Sequence, residues 1–341
     1  MSAAVRRVPV IALTGHLGAG KTTVLNRLLR TPGARLGVVV NDFGSINVDA
    51  GLVSGQIDQV GSIAGGCVCC LEDVGELDAA FDKLARPELR LDAIVVEASG
   101  FAEPGPLARL IHYSEAAVRP AGLVDVVDAV EHFETVDTGG HPAVRFAVAT
   151  LVVLNKCDLV SSERLERIEQ RIREVNPSVQ IVRTSHGAVD PALLLDVASH
   201  EDPPDQLPIG ALLRQVAEEA SEHGHEHRHA RSVSVSADGP TDPGALLDLL
   251  DDPPAGAYRM KGVVRISSGR AMRAYAVHVV GGRVDVLPAA HPTDGAGHLV
   301  AIGLDLDESE ALQRITAALA PVERPDLEGL KRWRRRERLS R

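Results

Sequence analysis

The sequence predicts an α/β protein: a doubly wound, mostly parallel sheet, followed by a second, smaller α+β domain. Three observations lead there. Short Val/Ile/Leu runs alternate with amphipathic stretches across the first half of the chain, and they are apolar on both alternations, as expected when helices cover both faces of a parallel sheet. A glycine-rich loop directly follows the first run and opens a helix-like stretch. Near residue 200 the pattern changes, first to a stretch containing proline and histidine, then to strands joined by a tight turn.

In order, the first domain, residues 1–200, has strand signals at 8–14, 36–41, 93–97, 122–127, 150–155 and 179–184. Helix signals lie at 22–30, 75–84, 106–112 and 163–175. Residues 201–230 form a linker: Asp202-Pro203-Pro204, a helix-like stretch at 210–220, then histidines at 223, 225, 227 and 229. The second domain, 231–325, shows strands at 232–236, 262–267, 273–280 and 284–287 and helices at 243–250 and 309–319. Gly281-Gly282 reads as a hairpin turn. The last stretch, 326–341, is a basic tail around Trp333. Its favoured reading is a solvated terminal helix or frayed end, with docking on an acidic partner as the alternative.

Composition narrows the function. The 341 residues are 45% hydrophobic and 24% charged, which suits a globular protein with a filled core, and with 3% aromatics that core rests on Val, Leu, Ile and Ala. A net charge of −11 disfavours a nucleic-acid partner, since a duplex binder needs a basic face. No apolar run approaches the roughly 18–20 residues that cross a bilayer, so no membrane partner is expected. Residues 1–10 are expected to be a leader plus first strand and not a signal sequence, because they run straight into the glycine loop.

Gly15-His16-Leu17-Gly18-Ala19-Gly20-Lys21-Thr22 fits G-x-x-x-x-G-K-[ST] between a strand and a helix. Backbone amides from Gly15, Gly18, Ala19 and Gly20 onward would cradle phosphates, helped by the positive end of the helix. Lys21 would reach the β- and γ-phosphates, and the Thr22 hydroxyl would ligate Mg²⁺, with Thr23 beside it. At the end of a later apolar run, Glu97 would act at Mg²⁺ or its waters, and the Gly100 amide would sense the γ-phosphate. Asn155-Lys156-Cys157-Asp158 reads as a base-choosing loop. The Asp158 carboxylate can accept from guanine N1 and the exocyclic amine, whereas adenine offers no such donor pair, so GTP is the expected nucleotide. Asn155 and Lys156 would brace that loop and stack along the base, while Cys157 is read as structural.

Three of the four cysteines, Cys67, Cys69 and Cys70, sit almost adjacent behind Gly65-Gly66. Neighbours this close make a poor disulfide framework, so free thiols in a reducing cytoplasm are expected. Three thiolates form a compact soft site suited to Zn²⁺, Cu⁺ or Co²⁺, with water, a carboxylate or a partner residue as fourth ligand. Three small buried hydrophobes are the alternative, against which the flanking glycines and loop position argue. The histidine tract suggests weak metal collection or a plain polar linker.

Taken together, the Gly-x-Leu-Gly-Ala-Gly-Lys-Thr-Thr loop, Cys67-x-Cys69-Cys70 and Asn155-Lys156-x-Asp158 resemble the CobW family of metal-handling GTPases. So do Asn41-Asp42-Phe43-Gly44 with Asp49 beyond, the Glu97-to-Pro104 stretch, and Arg259-Met260-Lys261-Gly262, which extends the resemblance over residues 8–320. Asp42 departs from it, because the family carries the longer Glu there, and the histidine tract is shorter than in many relatives. The resemblance implies a GTP- and Mg²⁺-dependent metallochaperone that loads zinc, or alternatively cobalt, at the cysteines and releases it to a client metalloprotein after hydrolysis. Cobalt handling for cobalamin synthesis and activation of a nitrile hydratase-type metal centre are the alternative roles. No arginine or glutamine finger stands out, so a client or a second copy, as a homodimer, is expected to complete the site.

Overall fold

A computed structural model describes residues 7–32, 34–40, 60–62, 74–100, 102–139, 143–195, 230–237, 239–267, 272–289, 297–322 and 325–340. The chain separates into two compact units, one of residues 7–227 and one chiefly of residues 228–341.

The first unit runs β1 (Val8–Gly15), α1 (Lys21–Leu29), β2 (Leu36–Val40), β3 (Val60–Ser62), α2 (Val74–Leu84), β4 (Ala93–Glu97), α3 (Pro104–His112), β5 (Val118–Asp128), α4 (His132–Thr135), β6 (Leu151–Asn155), α5 (Ser162–Val175), β7 (Gln180–Arg183) and α6 (Pro191–Leu194). Its sheet has the order β3-β2-β4-β1-β5-β6-β7, and every neighbouring pair is parallel. β1, β4 and β6 are buried along their whole length, which explains why their sequences do not alternate. Val10, Ile94, Val96, Leu107, Phe81 and Ile168 belong to the core between sheet and helices.

Register decides where the polar residues of the strands come to lie. Leu13 lies opposite Glu97, Thr14 opposite Asp125 and Asp128 opposite Asn155, so these side chains gather at the carboxyl ends of β1, β4, β5 and β6. That end of an open parallel sheet is where α/β folds place ligands. The short pairing strand β3, the single-turn helices α4 and α6 and a 3-10 turn at Val144–Val148 carry no periodicity that the sequence reading could use.

The second unit runs β8 (Arg231–Ala237), α7 (Pro243–Asp251), β9 (Arg259–Ser267), β10 (Met272–Val280), β11 (Arg283–Pro288), β12 (Gly297–Gly303), α8 (Glu308–Ala318) and α9 (Leu327–Leu339). Its sheet is antiparallel in the order β11-β10-β9-β12-β8. Gly281 and Gly282 close the β10–β11 hairpin with φ of 54° and 83°, the two left-handed residues that a two-residue turn requires. β12 went unread because its glycine ends and short apolar run look like loop.

The expected basic tail needs correction. Residues 327–339 are helix α9, and Trp333 is only 1% exposed, packed edge-to-face on Tyr275 with ring centroids 5.4 Å apart. Two of the arginines face α7, where Arg332 pairs with Asp248 at 2.7 Å and Arg336 with Asp251 at 2.6 Å. A Cβ on Gly329 would lie 2.6 Å from the Gly244 nitrogen, so the two helices touch backbone to backbone. A buried Trp with paired neighbours makes this segment part of the second unit's core. Among the described residues no helix is long and apolar enough to cross a membrane.

Candidate nucleotide site

The loop after β1 turns through Gly15, Gly18 and Gly20, with φ of 146°, 79° and 103°. Gly20 is the N-cap of α1 and offers no side-chain acceptor, leaving the first-turn amides for an anion. A Cβ there would stand 2.3 Å from Asn155 Nδ2, so glycine is needed for proximity as well as for conformation. Lys21 is 8% exposed, and its ammonium donates to the Gly15 and His16 carbonyls at 3.0 and 3.2 Å, which lays the cation across the loop. The Thr22 hydroxyl donates to Glu97 Oε1 at 2.7 Å, and Glu97 is buried. An alcohol and a carboxylate side by side, both hard oxygens, fit Mg²⁺ as a donor set. Thr23 continues α1 beside them. Gly100, just past β4, abuts the phosphate loop so closely that a Cβ would come within 2.7 Å of Leu17 Cα.

At the far end, Asn155 is 3% exposed and joins two loops. Its Nδ2 donates to Ala19 O at 2.9 Å, and its Oδ1 accepts from the Gly187 amide at 3.0 Å. Lys156 takes a left-handed φ of 62°, and Asp158 is exposed in the following 3-10 turn. Cys157 is half-buried, its thiol donates to Leu154 O at 3.0 Å, and burial pushes its pKa up, which fits a structural residue.

Sequence reasoning missed two parts of this arrangement. One is the segment after β7. There His186 and Gly187 have φ of 53° and 67°, Arg27 of α1 donates to His186 O at 2.9 Å, and Gly187 packs against α1 at Val24. The Ser185-His186-Gly187 tripeptide at a strand end was the available signal. The other is Asp125, fully buried in β5, which accepts from Thr14 Oγ1 at 2.7 Å and from Arg145 Nε and Nη2, both at 2.9 Å. This pair anchors the strand that enters the phosphate loop.

Cys67, Cys69, Cys70, the Asp42-Phe43-Gly44 stretch with Asp49, Phe101 and the histidine tract all lie outside the described residues. Among the described residues no group of three or more His, Cys, Asp or Glu side chains is placed to hold a metal.

Strand, glycine loop and helix, with an acidic strand end at Thr22 and an Asn-Lys-x-Asp loop fastened to the phosphate loop, define a P-loop nucleotide-binding protein. The chain belongs to the family described as CobW/HypB/UreG, nucleotide-binding domain, whose model matches residues 9–183, and residues 230–319 match the cobalamin synthesis protein cobW C-terminal domain. It is 28% identical to a zinc chaperone CobW of Sinorhizobium sp, over 91% of this chain and 97% of that protein. It is 34% identical to the zinc-regulated GTPase metalloprotein activator 1 of Schizosaccharomyces pombe, over 54% of this chain and 47% of that one. Among solved structures it resembles Zn(II)-bound YjiA GTPase from E. coli, with a TM-score of 0.43 and 21% identity over 92% of this chain and 99% of that one.

Proposed function

We propose that this chain is a GTP-dependent zinc metallochaperone: it binds and hydrolyses GTP, takes zinc as cargo on Cys67, Cys69 and Cys70, and passes it to a client metalloprotein. The observation that carries the nucleotide half is the Asn155 bridge, which ties the base-choosing loop to Ala19 of the phosphate loop so that base and phosphates are read by one rigid body. The metal half rests on the three adjacent thiols and on the zinc named for the relatives. Free thiols of this kind suit the reducing cytoplasm.

The residues divide the work by position. Lys21 leaves the Gly15 and His16 carbonyls for the β- and γ-phosphates, and Gly18 to Thr23 supply amides to them. Thr22 and Glu97 would hold Mg²⁺, which neutralises charge on the phosphates. Gly100 lies close against Leu17 of the phosphate loop, a contact through which a change at the γ-phosphate would reach the end of β4. The cysteines lie in sequence between β3 and α2, and β3 is joined to β4 through β2. Through that sheet edge the nucleotide state sets metal affinity, and by linkage the metal tightens GTP by the same factor.

The test is a competitive Zn²⁺ and Co²⁺ titration of the reduced protein with Mg²⁺ and GTP, GDP or no nucleotide. Zinc affinity is expected to tighten about tenfold or more with GTP, a coupling of about 1.4 kcal/mol, and to fall again with GDP. Coincident curves would leave a GTPase with an incidental thiol site.

A further inference from the structure

Asp128 ends β5 and belongs to no motif singled out in the sequence. Its side chain is 7% exposed, and each oxygen has a separate task. Oδ1 accepts from the Val130 and Glu131 amides at 2.9 and 3.3 Å, so the turn toward α4 fixes the carboxylate's orientation. Oδ2 accepts from Lys156 Nζ at 2.6 Å.

Lys156 is the second residue of the base-choosing loop, and its left-handed backbone is one that L side chains seldom adopt. That backbone is pinned on both sides, since Ala129 N donates to Asn155 O at 3.0 Å and Cys157 N donates to Thr184 O at 3.1 Å. The lysine is thus held on both sides of its Cα and at its ammonium. A lysine serving only solubility keeps its head in water and its stem mobile. An ion pair serving only stability gains little at a side chain that is 34% exposed, and it needs no left-handed residue.

We infer that Asp128 is a positioning residue of the guanine-nucleotide site. It holds Lys156 so that the stem forms a wall for the purine ring, and it thereby sets nucleotide affinity and leaves the chemical step alone. The inference rests on residues 155–158 being the base-choosing loop. The Asp128–Lys156 bond involves neither Thr22 nor Glu97, so its loss weakens ground state and transition state equally.

The test measures fluorescent GDP binding, GTP turnover and nucleotide-free melting for wild type, Asp128→Asn, Lys156→Met and the double variant. Asp128→Asn is expected to raise the Kd for GDP and the KM for GTP by the same factor, about tenfold, with kcat within about twofold. Lys156→Met keeps an apolar stem but loses the tether, so it should match Asp128→Asn, and the double variant should be no worse than either single one. A wild-type Kd in Asp128→Asn overturns the inference, and so does a fall in kcat at constant KM or a double variant in which the losses multiply. If wild type binds adenine nucleotides as tightly as guanine ones, the base-loop reading itself fails. Guanine-selective wild type with an unaffected Asp128→Asn sinks only the tether.

Discussion

Asn155→Ala is the sharpest perturbation of the site, because one small amide holds base loop, phosphate loop and the segment after β7 together. The substitution removes the bonds to Ala19 O and from the Gly187 amide. Each hydrogen bond contributes roughly 0.5–1.5 kcal/mol net, so the pair is worth about 1–3 kcal/mol. Ala19 and Gly187 are both buried, and leaving their carbonyl and amide unpaired pushes the loss toward the upper end. The free protein carries part of this loss, so at about 1.4 kcal/mol per factor of ten nucleotide affinity should fall severalfold and by roughly 150-fold at most. Neither bond involves Thr22 or Glu97, so GTP and GDP should weaken by the same factor. The assay is titration of fluorescent GDP and of a non-hydrolysable GTP analogue in Mg²⁺, with melting of the nucleotide-free protein as control. A Kd within twofold of wild type, or a shift in the GTP-to-GDP preference, would refute the view that the two loops work as one body through this residue.

Trp333→Ala should destabilise the second unit by about 3–5 kcal/mol, the usual cost of emptying a buried aromatic site. Hydrogen exchange should show α9 amides opening, and protection unchanged from wild type would return this segment to the solvated tail of the sequence reading. His132 is fully buried beside Phe133 and Phe146, and burial lowers its pKa from 6.5 to about 4 despite the pull of Asp137. A depressed histidine contributes stability that is complete above pH 6.5 and lost as pH falls toward 4, because the unfolded chain takes the proton first. At 1.36 kcal/mol per unit the loss approaches about 3 kcal/mol, so the melting temperature of the first unit should drop between pH 6.5 and 4.5. His132→Phe should flatten that slope, and an unchanged slope would place the acid sensitivity elsewhere.

The strands of the first unit were legible because burial on both faces writes them as unbroken Val/Ile/Leu runs, as in Leu151–Asn155. What stayed hidden has short range or needs a partner to exist. β3 has three residues and is defined by pairing with β2. α9 is dominated by charged residues, and among its apolar side chains only Leu330 and Trp333 mark its buried side. Its arginines look solvated until Asp248 and Asp251 of α7 stand opposite them, more than eighty positions earlier in the chain.

The site divides along the same physical line. Gly15 to Thr22 and Asn155 to Asp158 stand out in the sequence because each motif spans a few consecutive residues, where spacing in sequence is geometry in space. The contacts that make them one site run between residues 75 to 136 positions apart: Thr22 with Glu97, Thr14 with Asp125, and Asn155 with Ala19. β5 shows why such contacts escape a reading by pattern. Its two aspartates interrupt an apolar run, and the expected strand, 122–127, stopped short of the second. Being three apart on a period of two, Asp125 and Asp128 leave opposite faces of the strand. One braces the strand that enters the phosphate loop, and the other tethers the lysine of the base loop. In a buried parallel strand a carboxylate with no motif around it is therefore itself a signal, since nothing but a partner from another element makes it tolerable there.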